Sequence, residues 1–424
     1  MSEPTIAQRL AAFAADATTP QTDALRLIEL SCMDWASCAV AGKTEPVAKA
    51  LREMATNDAG TPEAAMFGRR QRVPARAAAL VNGTTAHALD YDDTHFAHIG
   101  HPSVVVWSAA LAVAQRVGAD RDATRLAALI GAEASVRVGQ WLGRRHYEAG
   151  FHQTATAGAF GAAIAACRLM SVGPQATEHA INLLATRASG LKSQFGTMGK
   201  PYNAGQAASA GVEVATLAAL GMTGPADGLS VTQGFGPTHA GEDDQSAFET
   251  LGREWRFADI RYKFHACCHG IHAALEAVGD YVGPATIHVH PRWSKVCAIP
   301  EPKSGLEAKF SLTHAIALRM AGYDTAALET YSDDACTDKA ALELRGKLAL
   351  SFDDSISDTA ARIKTPKGML HHDLADPIPL DVISQRLEEK SISLLGRDHA
   401  AALKAALASD DMPAQMANWM AQTA

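Results

Sequence analysis

The chain has 424 residues, and this length predicts two or three domains. Hydrophobic residues make up 47% and charged residues 20%, a balance typical of a globular protein with a large core. The net charge of −8 offers no basic stripe, which argues against nucleic acid as a partner. No apolar stretch is long enough to span a bilayer, so we expect no membrane association.

The beginning of the chain and the cysteines bear on the cellular compartment. The first sixteen residues lack a basic segment followed by an apolar run, so they do not indicate a secretory signal. The seven cysteines are scattered, and no pair has C-x-x-C spacing. We therefore expect reduced thiols in a cytoplasmic protein.

Helical patterns dominate up to about residue 285. Between Leu25 and Cys38, apolar residues recur at steps of three and four until Gly42, which predicts a helix over 22–41. Pro102 suits the first turn of a helix over 102–117, which ends before Gly118. The remaining predicted helices in this part cover 122–142, 154–170, 174–189, 203–220 and 266–282.

Small residues crowd two of these helices, at 154–167 and 203–211. Such stretches let helices approach closely, or they leave room for a ligand. For most of the alanines we favour the first interpretation, tight helix–helix packing.

The pattern changes near residue 284. Ile287 and Val289 alternate with histidines, which predicts a strand, and 347–352 and 360–366 predict two more. A helix over 305–322 lies between them, and helices return from residue 379. The fold class is therefore mainly α, with a large helical domain (1–265 plus 385–424) and a smaller α+β lid domain (266–384).

No nucleotide-binding motif is present. The sequence contains no G-x-G-x-x-G after a strand and no G-x-x-x-x-G-K-[ST]. The segment GTMGKP (196–201) has the wrong glycine spacing for a phosphate loop. We expect neither a dinucleotide nor ATP.

The segment HALDYDDTHFAHIGHPS (87–103) contains four histidines and three aspartates. His101 precedes Pro102, so its backbone should be extended, at the start of a helix whose free N–H groups attract anions. The spacing matches no standard metal site, although the residue types are those of metal ligands. A solvated polar loop, an acid–base site and a metal site all remain open from this segment alone.

Three other segments place chemically active side chains next to predicted helices. Tyr147 and His152 precede the helix that starts near 154. Lys200 directly precedes a helix started by proline, and Lys263 precedes the predicted helix at 266. Each lysine alone would more often be a surface cation, but the set together with Asp90 predicts a convergent site.

The sequence resembles the MmgE/PrpD family. The resemblance rests on five segments that occur in order: HALDYDDTH…HPS (87–103), GFHQTATAGAFGAA (150–163), GTMGKPYNAGQAA (196–208), YKFHACCHGIHAALEA (262–277) and GLEAKFSL (305–312). It implies a large helical domain with an α+β lid domain, a homodimer, and no organic cofactor. The activities that it implies are 2-methylcitrate dehydration, cis-aconitate decarboxylation and iminodisuccinate epimerisation.

Carried over by position, the resemblance implies a set of site residues: Asp90, Thr94, His101, His152, Lys200 and Lys263, with Tyr147 as a further wall. Two positions depart from the family pattern. Asn203 stands where the family often has histidine, and His314 stands where it usually has tyrosine; we expect both to contact the substrate. If the lid closes over the site, His314 would add a proton carrier opposite His101.

We therefore predict a cofactor-independent lyase or isomerase acting on a small di- or tricarboxylate. Lys200 and Lys263 would hold carboxylates, His101 and His152 would move protons, and Asp90 and Thr94 would support them. Dehydration comes first, epimerisation is its close rival, and decarboxylation is third. The competing class is a metal-dependent hydrolase built on the His/Asp cluster; we expect no metal.

Overall fold

A computed structural model of the protein describes residues 3–16, 20 and 22–424. This part of the chain contains seventeen α-helices, which confirms the mainly α fold class. They are α1 (Ile6–Ala15), α2 (Thr22–Gly42), α3 (Pro46–Asp58), α4 (Ala75–His87), α5 (Pro102–Val117), α6 (Arg121–Glu148), α7 (Gln153–Leu169), α8 (Pro174–Leu184), α9 (Gly199–Ala219), α10 (Phe235–Thr238), α11 (His269–Val278), α12 (Gly305–Ala308), α13 (Leu312–Met320), α14 (Lys339–Arg345), α15 (Leu380–Leu395), α16 (Arg397–Ala408) and α17 (Met412–Gln422).

Six strands accompany the helices: β1 (Ala64–Ala65), β2 (Arg72–Val73), β3 (Ala285–Val289), β4 (Leu348–Phe352), β5 (Ala360–Thr365) and β6 (Gly368–Asp373). The first two form a small antiparallel pair. The other four form one sheet in the order β4-β3-β5-β6, in which only the β3–β4 pair is parallel.

Internal contacts divide the chain into two compact units, residues 1–262 with 395–424 and residues 263–394. The first unit is helical around a core in which α4, α5, α6, α7 and α9 pack on one another. The second contains the four-stranded sheet. The predicted domain boundaries stay a prediction, because compactness does not by itself show that a unit folds alone.

Most predicted helices of the first unit begin and end within a few residues of the observed ones. The predicted helix 102–117 coincides with α5, and Gly118 ends it in the left-handed region at φ 67°. The predicted end at 142 corresponds to a break inside α6, where Gly143 has φ 70° and ψ −174°. Proline at the start and glycine at the end are reliable signals because each depends on local backbone geometry.

Three predicted helices have the wrong limits. The helix predicted over 174–189 ends at Leu184. The one predicted over 266–282 covers only His269–Val278, because the backbone N–H groups of Ala266 and Cys268 bond to carbonyls of distant residues. The helix predicted over 305–322 is two helices, since Ser311 pairs with Ala298 and caps α13 instead of continuing α12.

The strands at 285–289, 348–352 and 360–365 confirm the three predicted ones, and β3 alternates buried and half-buried residues as expected. The fourth strand, β6, was not predicted. It is an edge strand whose side chains are half-buried or exposed, so its sequence lacks the alternation of a strand with one buried face.

Glycines in the helical unit confirm tight packing of the small-residue helices. A Cβ atom on Gly205 of α9 would overlap the carbonyl oxygen of Leu80 in α4. A Cβ atom on Gly211 would lie 2.5 Å from Cβ of Ala162 in α7. The stretch 203–211 therefore serves close helix–helix contact.

A buried ion pair joins α6 to the segment that follows α10. Arg137 Nε donates to Glu133 Oε1 at 2.5 Å, and both side chains are 0% exposed. The other oxygen of Glu133 accepts the backbone N–H of Phe257 at 2.8 Å. Arg137 also donates to the carbonyls of Ala247 and Glu254, so the pair satisfies several groups that have no access to water.

The helices and the cysteines bear on two expectations from the sequence, the absence of membrane-spanning segments and of disulfides. None of the helices in the described residues is long and apolar enough to cross a membrane. All seven cysteines are free thiols, as expected from their spacing.

Candidate active site

Four helix ends of the first unit bring polar side chains together. His87 is the last residue of α4, and His101 and His152 are the N-cap residues of α5 and α7. Lys200 lies in the first turn of α9, which begins at Gly199; the prediction that it directly precedes the helix was wrong by that turn. The extended backbone of His101, at φ −114° and ψ 89°, confirms the expectation from the His-Pro sequence.

Asp90 adopts an unusual backbone conformation. Since α4 ends at His87, Asp90 is not helical, and its φ of 52° lies in the left-handed region that non-glycine residues seldom occupy. Such strain is found mostly where a side chain must be aimed at a site. Here the carboxylate of Asp90, 44% exposed, points to His101 and Lys200.

The ring of His101 lies between two carboxylates. Its Nε2 is 3.3 Å from Asp90 Oδ1, and its Nδ1 is 3.2 Å from Asp92 Oδ2. Burial alone would lower the pKa of His101, but the two carboxylates outweigh it and raise the pKa above its ordinary value. The imidazolium form is therefore favoured relative to an ordinary histidine.

Asp92 also faces a second ring. Nδ1 of His87 is 2.9 Å and 3.0 Å from the two carboxylate oxygens. Burial alone would raise the pKa of Asp92, yet His87 and His101 hold it well below its usual range. Burial lowers the pKa of His87 to about 4, so this ring is neutral and donates its Nδ1–H to an ionised Asp92.

Lys200 supplies the positive charge on the more open side. Its Nζ donates to Asp90 Oδ1 at 2.6 Å, and its side chain is 17% exposed. The ammonium also lies 5.4 Å from the ring centroid of Phe195. An ammonium has three N–H donors, of which Asp90 accepts one.

Asn203 determines the tautomer of His152. Its Nδ2 donates to the carbonyl of Leu191 at 3.2 Å, which fixes the orientation of the amide. The same nitrogen lies 3.3 Å from Nδ1 of His152, which must then be the acceptor. Burial, with the nearby His87 and Lys200, holds the pKa of His152 well below its usual range, so the neutral ring carries its proton on Nε2.

The cluster has the composition of a metal site. His87, Asp90, Asp92 and His101 each offer one ligand atom, and these atoms lie within 4.8 Å of one another. The ring nitrogens, however, already face carboxylate oxygens, and Lys200 brings a cation to Asp90. We therefore assign these side chains to one another rather than to a metal ion, and the absence of a cofactor stays a prediction.

The structure shows contacts of two other predicted site residues of the first unit, Thr94 and Tyr147. The backbone of Thr94 pairs with Arg261 through two hydrogen bonds of 2.7 Å. Tyr147 lies under Lys192, whose Nζ is 3.7 Å from the ring centroid. The roles of Thr94 and Tyr147 as substrate contacts stay predictions.

Lys263 and His314 belong to the second unit. Lys263 is buried, and the prediction that it immediately precedes a helix was wrong, because α11 begins only at His269. His314 lies in α13, where burial and the nearby Arg345 lower the pKa of its ring. The roles of both residues toward a substrate stay predictions.

The motif-based site set missed His87 and Asp92. Both stand in the histidine- and aspartate-rich segment, but neither spacing nor residue type distinguishes them from their neighbours. The helix end after His87 could have indicated their role, because an imidazole at a helix end can contact a carboxylate in the following loop.

Asp93 provides a test of the electrostatics next to the site. Burial, with the nearby Asp34, raises its pKa to about 7, far above that of an unfolded chain. The folded protein therefore binds a proton that the unfolded chain releases, and stability should fall as pH rises from about 4 to about 7. We expect Asp93→Asn to remove this slope and to be more stable than the wild type at pH 8 by a few kcal/mol. Thermal unfolding from pH 5 to 8 measures this, and equal slopes in both proteins would contradict it.

A mainly α fold that gathers imidazoles, carboxylates and an ammonium at four helix ends defines a protein equipped for proton transfer next to a bound anion. Residues 8–247, more than half of the chain, match the MmgE/PrpD N-terminal domain. The chain belongs to the MmgE/PrpD family, as its motifs indicated.

Similar proteins carry one activity in their names. The chain is 30% identical to a cis-aconitate decarboxylase-like protein, oryM, of Aspergillus oryzae, over 60% of this chain and 57% of that protein. It is 27% identical to the cis-aconitate decarboxylase of Aspergillus terreus (70% and 68%) and 30% identical to that of Homo sapiens (50% and 46%). The matched segment thus spans about half to two thirds of these relatives.

Proposed function

We propose that the protein is a lyase that decarboxylates a small unsaturated tricarboxylate of the cis-aconitate type. The observation that carries this proposal is the buried ring of His101 between Asp90 and Asp92, with Lys200 on Asp90. The names of the similar proteins support the reaction type. Dehydration, the first candidate from the sequence, and epimerisation need the same proton carriers, so only the product separates the three.

In this reaction the carbon–carbon bond to one carboxylate breaks and CO₂ leaves. The electron pair stays on the remaining dicarboxylate as an allylic carbanion. His101 then donates a proton from Nε2 to form the new C–H bond and regains a proton from water. Because its pKa is raised, the ring holds that proton to higher pH than an ordinary histidine and can act as the acid.

Charge stabilisation comes from the neighbouring donors. Two of the three N–H groups of Lys200 remain for a substrate carboxylate after the bond to Asp90. The Nε2–H of neutral His152 is a further donor for a carboxylate oxygen. Donors held in place before the reaction stabilise the developing negative charge without the reorganisation that water requires.

Product analysis in deuterated water tests the proposal. The purified protein is incubated with cis-aconitate, 2-methylcitrate and iminodisuccinate, and the products are analysed by NMR and mass spectrometry. We expect cis-aconitate to lose CO₂ and gain one deuterium at carbon. A product that has lost only water would identify a dehydratase, and deuterium exchange with inversion would identify an epimerase; either would overturn the decarboxylase assignment.

Removal of metal ions is expected to leave turnover unchanged, because Lys200 already supplies the cation next to Asp90. The measurement is kcat before and after prolonged dialysis against a chelator, together with elemental analysis of the active protein. Loss of activity that a divalent cation restores would instead support the metal-dependent hydrolase class.

Oligomeric state is a separate proposal. The family resemblance implies a homodimer, and light scattering of the purified chain measures it. A monomeric mass in active protein would contradict this expectation.

A further inference from the structure

Asp92 is a buried carboxylate held between two imidazole rings. Its side chain is 2% exposed, and the facing rings of His87 and His101 are 0% and 10% exposed. The centroids of the two rings are 4.6 Å apart, at 70° to each other. A buried carboxylate is retained only if its charge is compensated. Here His87 hydrogen-bonds both oxygens, and the ring of His101 lies at ion-pair distance from one of them.

The two rings make different contacts with Asp92. His87 is neutral, and its Nδ1–H is shared by both carboxylate oxygens, which fixes the plane of the carboxylate. Nδ1 of His101 makes an ion-pair contact of 3.2 Å with Oδ2 of Asp92. With Nδ1 turned inward, Nε2 of His101 necessarily points the other way, to Asp90 on the more open side.

We propose that Asp92, held in place by His87, is a positioning residue that sets its negative charge against Nδ1 of His101 and directs Nε2 of that ring toward the substrate. The inference rests on the proposed function for the role of His101 in turnover. The charge and orientation of His101 are properties of the protein alone and can be measured without a substrate. The titratable groups around the ring are Asp90, Asp92, His87, His98, His152 and Lys200.

The test variant is Asp92→Asn, which keeps an oxygen for His87 but removes the negative charge. We expect kcat to fall by at least about 10- to 100-fold with KM little changed, by analogy with carboxylates that orient metal-bound histidines. Without the charge of Asp92, burial lowers the pKa of His101, so the protonated acid is lost at lower pH. The alkaline limb of the pH–kcat profile should therefore shift to lower pH.

Asp93→Asn is the matched control. It replaces the adjacent buried carboxyl group with the same amide, and above about pH 7, where Asp93 is ionised, it also removes a negative charge. Asp93 faces Asp34 and two serine hydroxyls instead of the His101 ring. We expect its alkaline limb to stay where the wild type has it. A shift of equal size in both variants would indicate general electrostatics and overturn the specific role of Asp92.

NMR titration of histidine nitrogens provides a readout that does not depend on turnover. The His101 signals are assigned by their loss in His101→Asn. In the wild type we expect His101 to titrate above an ordinary histidine, and in Asp92→Asn below the wild type. If Asp92→Asn does not fold, the wild-type titration decides: a His101 that titrates at or below an ordinary histidine overturns the proposal. If instead the wild type fails to decarboxylate but His101 titrates as expected, the proposed function fails and the positioning role stands.

Discussion

Lys200→Met is expected to lower kcat by about 10²- to 10³-fold, the loss typical of removing one preorganised charge-stabilising donor. The ammonium contacts Asp90 and is oriented by the first turn of α9. The ring of His101 also lies at that carboxylate, but it is the proposed proton donor and does not take over the role of the ammonium. Because Asp90 is 44% exposed, water can solvate it after the substitution, and the thermal midpoint should change little. Steady-state kinetics and thermal unfolding measure the two effects.

Lys192→Met is the control for Lys200→Met. Lys192 precedes Lys200 by a few residues, but its Nζ lies over the ring of Tyr147 and donates to the Tyr147 carbonyl. We expect near-native kcat for this variant. Equal losses in the two variants would show that general loss of positive charge, rather than the Lys200–Asp90 geometry, matters.

Truncation of His101 is expected to abolish turnover as well. The ring is only 10% exposed and contacts the buried Asp92, so we expect a measurable loss of stability together with the loss of activity. His101→Asn is the better variant for kinetics, because it can retain a donor to Asp92.

Arg137→Met is expected to lower the free energy of unfolding by about 3–5 kcal/mol, the usual effect of removing one partner of a buried ion pair. The substitution leaves Glu133 fully buried, with only backbone N–H donors from Arg256 and Phe257. It also removes the donors to the carbonyls of Ala247 and Glu254. Urea unfolding followed by circular dichroism measures the change.

Arg125→Met makes the same substitution on the same helix at a partly exposed pair. Its guanidinium bonds Glu29 and Asp122 with 21% of the side chain exposed, so we expect a loss of about 0–1 kcal/mol. The double variant Glu133→Gln with Arg137→Met should be less destabilised than Arg137→Met alone, because no unpaired charge stays buried. A loss for Arg137→Met no larger than for Arg125→Met would show that the buried pair is not a major stabilising element.

Local sequence patterns sufficed for most helices of the first unit's core and for two of the site positions. Pro102 after His101 predicted both the extended backbone of the histidine and the start of α5. His152 likewise precedes α7, as the small-residue pattern indicated. These features depend on a few consecutive residues, so their physics is already present in the sequence.

Partner identity depends on packing. Asp90, Asp92 and Asp93 are near neighbours in one short loop, yet one carboxylate faces Lys200, one is held between two imidazoles, and one keeps a proton next to Asp34. The three differ because α2, α5 and α9 surround the loop with different groups and exclude water to different degrees. Charge state and tautomer follow from contacts of about 3 Å between side chains that folding brings together. Hydrogen bonding depends on these distances, and the pKa of each group depends on its burial and its charged neighbours. The residue types, the helix ends marked by proline or glycine, and family membership were therefore predictable from the sequence. The pairing, protonation and orientation of the site side chains were decided only by the tertiary structure.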